Sequence, residues 1–298
     1  MQPSFLMLSF LASANSLIKL TNPIPFNLIQ AQVQQALDED IGDGDITAAL
    51  IPESQQSTAT VISRDAATIC GREWFEQTFW LLDKSISIDW NVADGDRVEP
   101  NQQLCTIKGS SRTILTAERT ALNFLQTLSG TATSTQKYVD ALTGSGITLL
   151  DTRKTIPGLR DAQKYAVTCG GGSNHRIGLY DGVLIKENHI AASGSITQAV
   201  STAKNTTPTD IPVEVEVENF DEASEAITAG ADILLLDNMG LDTITQIVEF
   251  NDKKAKLEIS GGIELSSISR YTDTGVDYIS VGSLTKQLTP IDLSMRFS

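Results

Sequence analysis

Apolar residues first fall into a helical rhythm in FNLIQAQVQQALDED, where Leu28, Val33 and Leu37 share one face, and the rhythm breaks at Gly42 and Gly44, which mark a turn. Residues 61–110 read as short strands. The clearest stretch is SISIDWNVADGDRVEPNQQLCTIKG, which alternates apolar and polar positions around a turn at Asp94-Gly95-Asp96. Helical spacing returns in LTAERTALNFLQTL, with Leu115, Leu122 and Leu125 on one stripe, and Ser129-Gly130 is expected to end that helix. Residues 26–130 thus read as an α+β module preceded by an extension, 1–25.

Beyond Gly130 the pattern changes to a repeated unit: an apolar strand, a polar cluster, then enough chain for a helix. Six strands follow this rule, ITLLDTRK, GVLIKENH, VEVEVEN, DILLLDN, KLEISGG and YISVGS. Their spacing is that of βα units in a parallel sheet, so residues 131–285 are expected to form an α/β barrel or near-barrel. Parallel strands aim their carboxyl ends one way, which gathers the residues after each strand on a single rim. Those residues are Asp151, Arg153 and Lys154; Lys186, Glu187 and His189; Glu218 and Asn219; Asp237 and Asn238; Ser260, Gly261 and Gly262; Gly282 and Ser283.

Composition narrows the partners. The 298 residues carry 37 acids against 22 bases, a formal charge of −15, which repels nucleic acid and anionic lipid alike. With 41% hydrophobic and 20% charged residues the chain is ordinary globular protein, neither disordered nor membrane-embedded. Cys70, Cys105 and Cys169 are far apart in sequence and form no C-x-x-C, so neither a disulfide framework nor a zinc knot is expected, and a reduced, cytoplasmic compartment fits. The opening MQPSFLMLSFLASANSLIKL faintly imitates a secretory signal but lacks its basic start, and is read as an extension.

Against the acidic whole, the segment from Asp151 to His189 is locally cationic: Arg153, Lys154, Arg160, Lys164, Arg176 and Lys186, with His175 and His189 as the chain's only histidines. Arginine forks suit carboxylates, and lysine point charges suit phosphate. GGGSNHR is not a phosphate loop, since no Gly-Lys-Ser/Thr follows; it is either a flexible turn or a close backbone approach that delivers His175 and Arg176. In PVEVEVEN, Glu214, Glu216 and Glu218 share one strand face. If the valines lie under the helices, the carboxylates point into the barrel and need cations there, with Lys154, Lys186 or Mg²⁺ as the available partners; an exposed edge strand is the alternative. EISGGI and ISVGS place glycines directly after the last two strands, the usual phosphate site of a barrel; tight turns alone would also explain them, but two at adjacent strand ends favour phosphate.

DTRKTIPGLR, GGGSNHRIGL, LIKENHI, VEVEVENFDEA, LLLDNM, EISGGI and ISVGSLT, in this order and spacing, closely resemble the quinolinate phosphoribosyltransferase family. LDEDIGDGDITAALIP, ERTALNFLQTLSGTAT and DLSMRF are similar to the same family, so the resemblance covers about residue 26 to the end. It implies an N-terminal α+β sandwich, with tail 286–298 packed on it, and an open TIM-like barrel. It also implies a homodimer or homohexamer whose sites are shared between subunits. The implied reaction joins quinolinate to 5-phosphoribosyl 1-pyrophosphate with Mg²⁺, releasing carbon dioxide and pyrophosphate. On the matching positions, Arg153, Lys154, His175 and Arg176, with Arg119 from a neighbour, would grip the two ring carboxylates. Lys186 would reach the pyrophosphate or its ribose side; Glu216 and Asp237 would hold Mg²⁺ and the ribose hydroxyls. Ser260, Gly261, Gly262, Val281, Gly282 and Ser283 would bind the 5′-phosphate, and Lys154, Glu216 and Asp237 would be catalytic. Three rivals share some of these features: a barrel aldolase with Lys154 or Lys186 as Schiff base, a related branch associated with molybdenum transport, and a non-catalytic sensor of a phosphorylated metabolite.

Overall fold

The computed structural model describes residues 22–297; most of the extension expected over 1–25 therefore lies outside the described residues. Helix α1 (Phe26–Ile41) buries Ile29, Val33 and Leu37, so its inner face is set by Ile29 where Leu28 was expected. Strands β1 (Gln56–Ser63) and β2 (Ala67–Thr68) follow. Helix α2 (Arg72–Leu82) then stands where only strands were expected. Its buried Trp74, Phe75, Thr78 and Phe79 fall on one helical face. Aromatic residues also favour strands, which hides the helical spacing in so short a run. Gly71, at φ 110°, turns the chain into α2, and Asp94 accepts the Arg72 backbone N–H at 3.3 Å.

After β3 (Ser87–Trp90), β4 (Arg97–Val98) and β5 (Gln103–Ser110) comes the 31-residue helix α3 (Ser111–Ala141). It does not stop at Ser129-Gly130. The Ser129 hydroxyl accepts the Cys70 N–H at 2.9 Å and donates to the Cys70 carbonyl at 3.1 Å. A Cβ on Gly130 would meet the Thr289 carbonyl oxygen at 2.4 Å. These small residues let neighbouring chain cross the helix closely, and the boundary at 130 falls inside one continuous α3. Leu125 and Leu128 are fully buried on it, each contributing about 1.5–3 kcal/mol.

The barrel comprises β6 (Thr148–Leu150), α4 (Arg160–Cys169), β7 (Val183–Ile185), α5 (Glu187–Ser193), α6 (Ile196–Thr206), β8 (Val213–Val217) and α7 (Phe220–Ala229). It continues through β9 (Ile233–Asp237), α8 (Leu241–Asn251), β10 (Lys256–Ser260), β11 (Tyr278–Ser280) and α9 (Ser283–Lys286). The final strand, β12 (Leu293–Phe297), returns to the first domain and pairs antiparallel with β1, giving the sheet order β12-β1-β5-β3.

The parallel sheet runs β6-β11-β10-β9-β8-β7 and is open between β7 and β6. Residues 173–176 bridge the opening: Ser173 pairs with Leu150 beside β6, and the Arg176 side chain donates to the Gly182 carbonyl just before β7. Val213, Val215 and Val217 pack in the core under the helices, which turns Glu214 and Glu216 inward. Folding also brings Cys70 and Cys169, remote in sequence, together with Asp94 at the seam between the domains, with donor atoms within 4.8 Å of one another. All three cysteines are free thiols. Among the described residues, no helix is long and apolar enough to cross a membrane.

Candidate active site

Strand order dictates the order of chemistry around the rim. Arg153 and Lys154 follow β6; next come Gly282 and Ser283 after β11, then Ser260, Gly261 and Gly262 at β10, Asp237 and Asn238 at β9, Glu216 and Glu218 at β8, and Lys186 at β7. The glycine turns therefore lie between a basic end and an acidic end. Arg176, in the opening, completes the circuit next to Arg153.

The basic end is held from behind. Asp151 and Lys164 form a wholly buried ion pair at 2.5 Å. Asp151 also accepts the His175 N–H at 2.9 Å and the Asn174 amide at 2.7 Å, while Lys164 donates to the His175 carbonyl at 2.9 Å. Burial pushes the Asp151 carboxyl up and the Lys164 ammonium down, each opposed by the other's charge. The backbone of His175 is thereby fixed. Burial, and then the nearby Arg153 guanidinium, lower the Arg176 pKa, and among the described residues the buried Arg153 Nε has no hydrogen-bond partner. Two cations pressed together with an unsatisfied N–H favour an arriving anion that relieves both. Lys154 reaches across to β11, where a Cβ on Gly282 would lie 3.0 Å from its Cδ and 3.7 Å from Nζ. Thr285 secures the Lys154 carbonyl with a 2.8 Å hydrogen bond.

In the glycine turns, Gly261 and Gly262 adopt φ of 97° and 59°. A Cβ on Gly261 would meet Asn238 Oδ1 at 2.2 Å, so glycine there permits close approach of the two rim loops. Asn238 is itself at φ 53° and donates its amide to Asp237 at 2.7 Å. Val281 is buried, with its N–H on the Leu150 carbonyl at 3.0 Å, and so shapes the turn from below.

Of the inward carboxylates, one finds an expected partner and the others do not. Glu216 takes Lys186, but Glu214 takes His175 at 3.0 Å, and Glu218 lies exposed beyond the strand. Lys154 pairs with none of the three among the described residues. His175 has both ring nitrogens engaged: Nε2 faces Glu214 at 3.0 Å and Glu258 at 3.6 Å, while Nδ1 accepts the Arg176 N–H at 2.8 Å. Burial alone would lower its pKa; the Glu214 hydrogen bond and the charges of Glu214 and Glu258 outweigh that and raise it. Glu258 was absent from the sequence reading, although the alternation in KLEIS puts it on the same inner face as Glu214. Burial, then the charge of Glu214, raises its pKa to about 7. Glu214, Glu258, His175 and Arg176 line a cavity of about 720 Å³ toward the strands' amino ends.

His189 turns back on its own helix: its Nδ1 accepts the Lys186 N–H at 3.0 Å, capping α5. Arg119 is exposed on α3 and makes no ion pair among the described residues.

An open α/β barrel with phosphate-type turns set between paired arginines and paired carboxylates defines a class, the barrel transferases that handle phosphorylated sugars. Comparison with known proteins gives the particular member. The model of the quinolinate phosphoribosyl transferase N-terminal domain matches residues 45–129, and that of the C-terminal domain matches residues 131–296. A Mycobacterium leprae protein named nicotinate-nucleotide pyrophosphorylase (carboxylating) is 38% identical, over 91% of this chain and 97% of its own. A Nicotiana tabacum protein named quinolinate phosphoribosyltransferase (decarboxylating) 1b is 34% identical over 90% of this chain and 82% of its own. The solved nicotinate-nucleotide pyrophosphorylase from Francisella tularensis superposes with a TM-score of 0.89 at 48% identity, covering 93% of this chain and 98% of that one. The chain belongs to the quinolinate phosphoribosyltransferase family.

Proposed function

We propose that this chain transfers the phosphoribosyl group of 5-phosphoribosyl 1-pyrophosphate to quinolinate, with loss of one ring carboxylate as carbon dioxide. The products are nicotinate mononucleotide and pyrophosphate, in de novo NAD synthesis. The observation that carries the reading is the crowded, half-buried pair Arg153 and Arg176, with Arg153 Nε unpartnered among the described residues, in a barrel whose rim carries the Gly261-Gly262 and Gly282 turns. It is a nest for a small dianion beside a cradle for phosphate. An aldolase would need a lysine free to attack a carbonyl, whereas the Lys186 ammonium is held by Glu216.

Arg153 and Arg176 hold the two ring carboxylates and so orient the pyridine nitrogen toward the sugar. Arg119 of a neighbouring subunit closes the nest in a homodimer or homohexamer. Backbone N–H groups of Ser260 to Gly262 and Val281 to Ser283 hold the 5′-phosphate. Glu216 and Asp237 share the inner face: Glu216 pairs in register with Leu235, two residues before Asp237. Their charge stabilises the ribosyl carbon as it becomes cationic. One Asp237 oxygen carries the Asn238 amide and Glu216 carries Lys186, so hard oxygens remain for Mg²⁺, an ion commonly bound by one or two carboxylates plus substrate phosphates. Bound there, Mg²⁺ would neutralise the departing pyrophosphate. Lys186 exchanges Glu216 for a pyrophosphate oxygen. Once the ring nitrogen is quaternary, the adjacent carboxylate leaves more easily as carbon dioxide; the Lys154 ammonium stabilises the negative charge left on the ring carbon, which then takes up a proton from solvent. The chain acts mainly by positioning and screening. A reduced, cytoplasmic setting goes with this reading, supported by the three free thiols.

The test is a coupled assay with the two substrates. Nicotinate mononucleotide and carbon dioxide should appear in equal amounts and stop in excess chelator. No product sinks the function, and full rate in chelator removes the metal role from Glu216 and Asp237.

A further inference from the structure

His175 stands between two sets of contacts. Its main chain is clamped by Asp151 and Lys164, and its ring lies between Glu214 Oε2, 3.0 Å from Nε2, and the Arg176 N–H, 2.8 Å from Nδ1. A ring nitrogen that accepts a hydrogen bond carries no proton, so the imidazole proton sits on Nε2 and is donated to Glu214. Neither nitrogen is left for a substrate. Arg176, in turn, has its guanidinium on the Gly182 carbonyl at 3.1 Å. The orientation of the imidazole therefore sets where the Arg176 backbone begins, and the carbonyl before β7 sets where its side chain points.

We infer that Glu214 is a positioning residue for quinolinate: through His175 it locks the Arg176 backbone so that this guanidinium stands beside Arg153 at the spacing two ring carboxylates require. The assignment rests on the substrate proposed above, and it gives His175 the role of a bracket where a direct carboxylate contact was expected.

The same atoms admit a competing reading. His175, Glu214 and Glu258 bring three donors within 4.8 Å, which in outline is a metal site. The ring's other nitrogen argues against it. A metal on Nε2 would force the proton to Nδ1, facing the Arg176 N–H across 2.8 Å, two donors in contact. Glu258, 3.6 Å from Nε2, is beyond hydrogen-bond range and contributes charge without fixing the ring.

The experiment measures steady-state KM for each substrate and kcat in wild type, Glu214→Ala and Glu214→Gln, together with the ¹⁵N resonances of His175. In Glu214→Ala, KM for quinolinate should rise at least ten-fold, while KM for 5-phosphoribosyl 1-pyrophosphate stays within two-fold. A merely structural defect would move both. Glutamine can still accept the Nε2 proton, so Glu214→Gln should return KM for quinolinate to within about three-fold of wild type. The ¹⁵N spectrum of wild type should show an unprotonated Nδ1 and a protonated Nε2, unchanged by added Mg²⁺ or Zn²⁺.

An unaltered KM for quinolinate in Glu214→Ala overturns the inference. So does a Glu214→Gln loss as large as that of alanine, or a metal-induced shift at Nε2. If Glu214→Ala fails to fold, the glutamine variant and the wild-type spectrum still decide. Wild type that does not turn over quinolinate would instead sink the proposed reaction, and the spectrum would still report the bracket.

Discussion

The two ends of the barrel rim use charge in opposite ways. At the β6 end the cations are pre-placed: Asp151 and Lys164 are buried behind them, Arg153 and Arg176 are crowded, and the surrounding hydrogen bonds are short and internal. At the β7 to β9 end Glu216 sits half-buried with a half-exposed Lys186, and Glu187, Glu218, Glu222 and Glu225 line an adjoining cavity of about 420 Å³. The rigid end suits a flat, inflexible dianion whose carboxylates have one geometry. The open end suits a flexible sugar pyrophosphate and a hydrated cation, which can adjust their own contacts. Rigidity is placed where the ligand cannot adapt.

That contrast can be broken most forcefully from behind. Lys164→Met leaves Asp151 buried and unpaired, and should lower stability by about 3–5 kcal/mol in a urea titration, since removing one member of a buried pair strands the other. In front of it, Arg176→Ala removes charge-assisted bonds worth about 1.5–3 kcal/mol each. The expected result is roughly a 100-fold or greater fall in kcat/KM for quinolinate with an unchanged melting temperature. Between the ends, Gly261→Ala should cost about 1–3 kcal/mol of backbone strain and weaken capture of 5-phosphoribosyl 1-pyrophosphate, read as a raised KM for that substrate alone.

The pH dependence belongs to the barrel interior between the two ends. Glu258 has its pKa raised from 4.5 to about 7 by burial and by Glu214, with His175, Asp151 and Ser280 also facing it. Over that interval the folded state holds more protons than the unfolded chain, so this group makes stability fall as pH rises from about 4.5 toward 7, by at most about 1.4 kcal/mol per unit. Glu258→Gln should flatten the slope in denaturation curves taken across that range. The smallest effect is expected away from both ends: Lys204→Ala, which breaks a half-exposed pair with Asp232, should change stability by under about 1 kcal/mol.

The sheet and its rim were legible because strand length, alternation and terminal charge coincide. VEVEV and ILLLD each announce a strand and what it carries. Helix α2 was hidden because Trp74, Phe75 and Phe79 satisfy strand preference as well as helical spacing, and α3 ran past Ser129-Gly130 because its small residues serve chain crossings in three dimensions. The same limit applied to charge. Sequence could say that Glu214 and Glu216 point inward, but the choice of His175 for one and Lys186 for the other depends on how 173–176 fills the barrel opening. Glu258 carried the signal of alternation in KLEIS, yet a single acid among apolar neighbours stands out less than three in a row.

The comparison rests on the rigid end recognising two carboxylates together. Equilibrium binding of quinolinate and of its monocarboxylate, nicotinate, to wild type and Arg176→Ala measures this directly. Wild type should prefer quinolinate by at least about ten-fold, the worth of one charge-assisted contact, and the variant should lose most of that preference. Equal binding of the two acids by wild type, or a preference that survives in Arg176→Ala, would contradict the account.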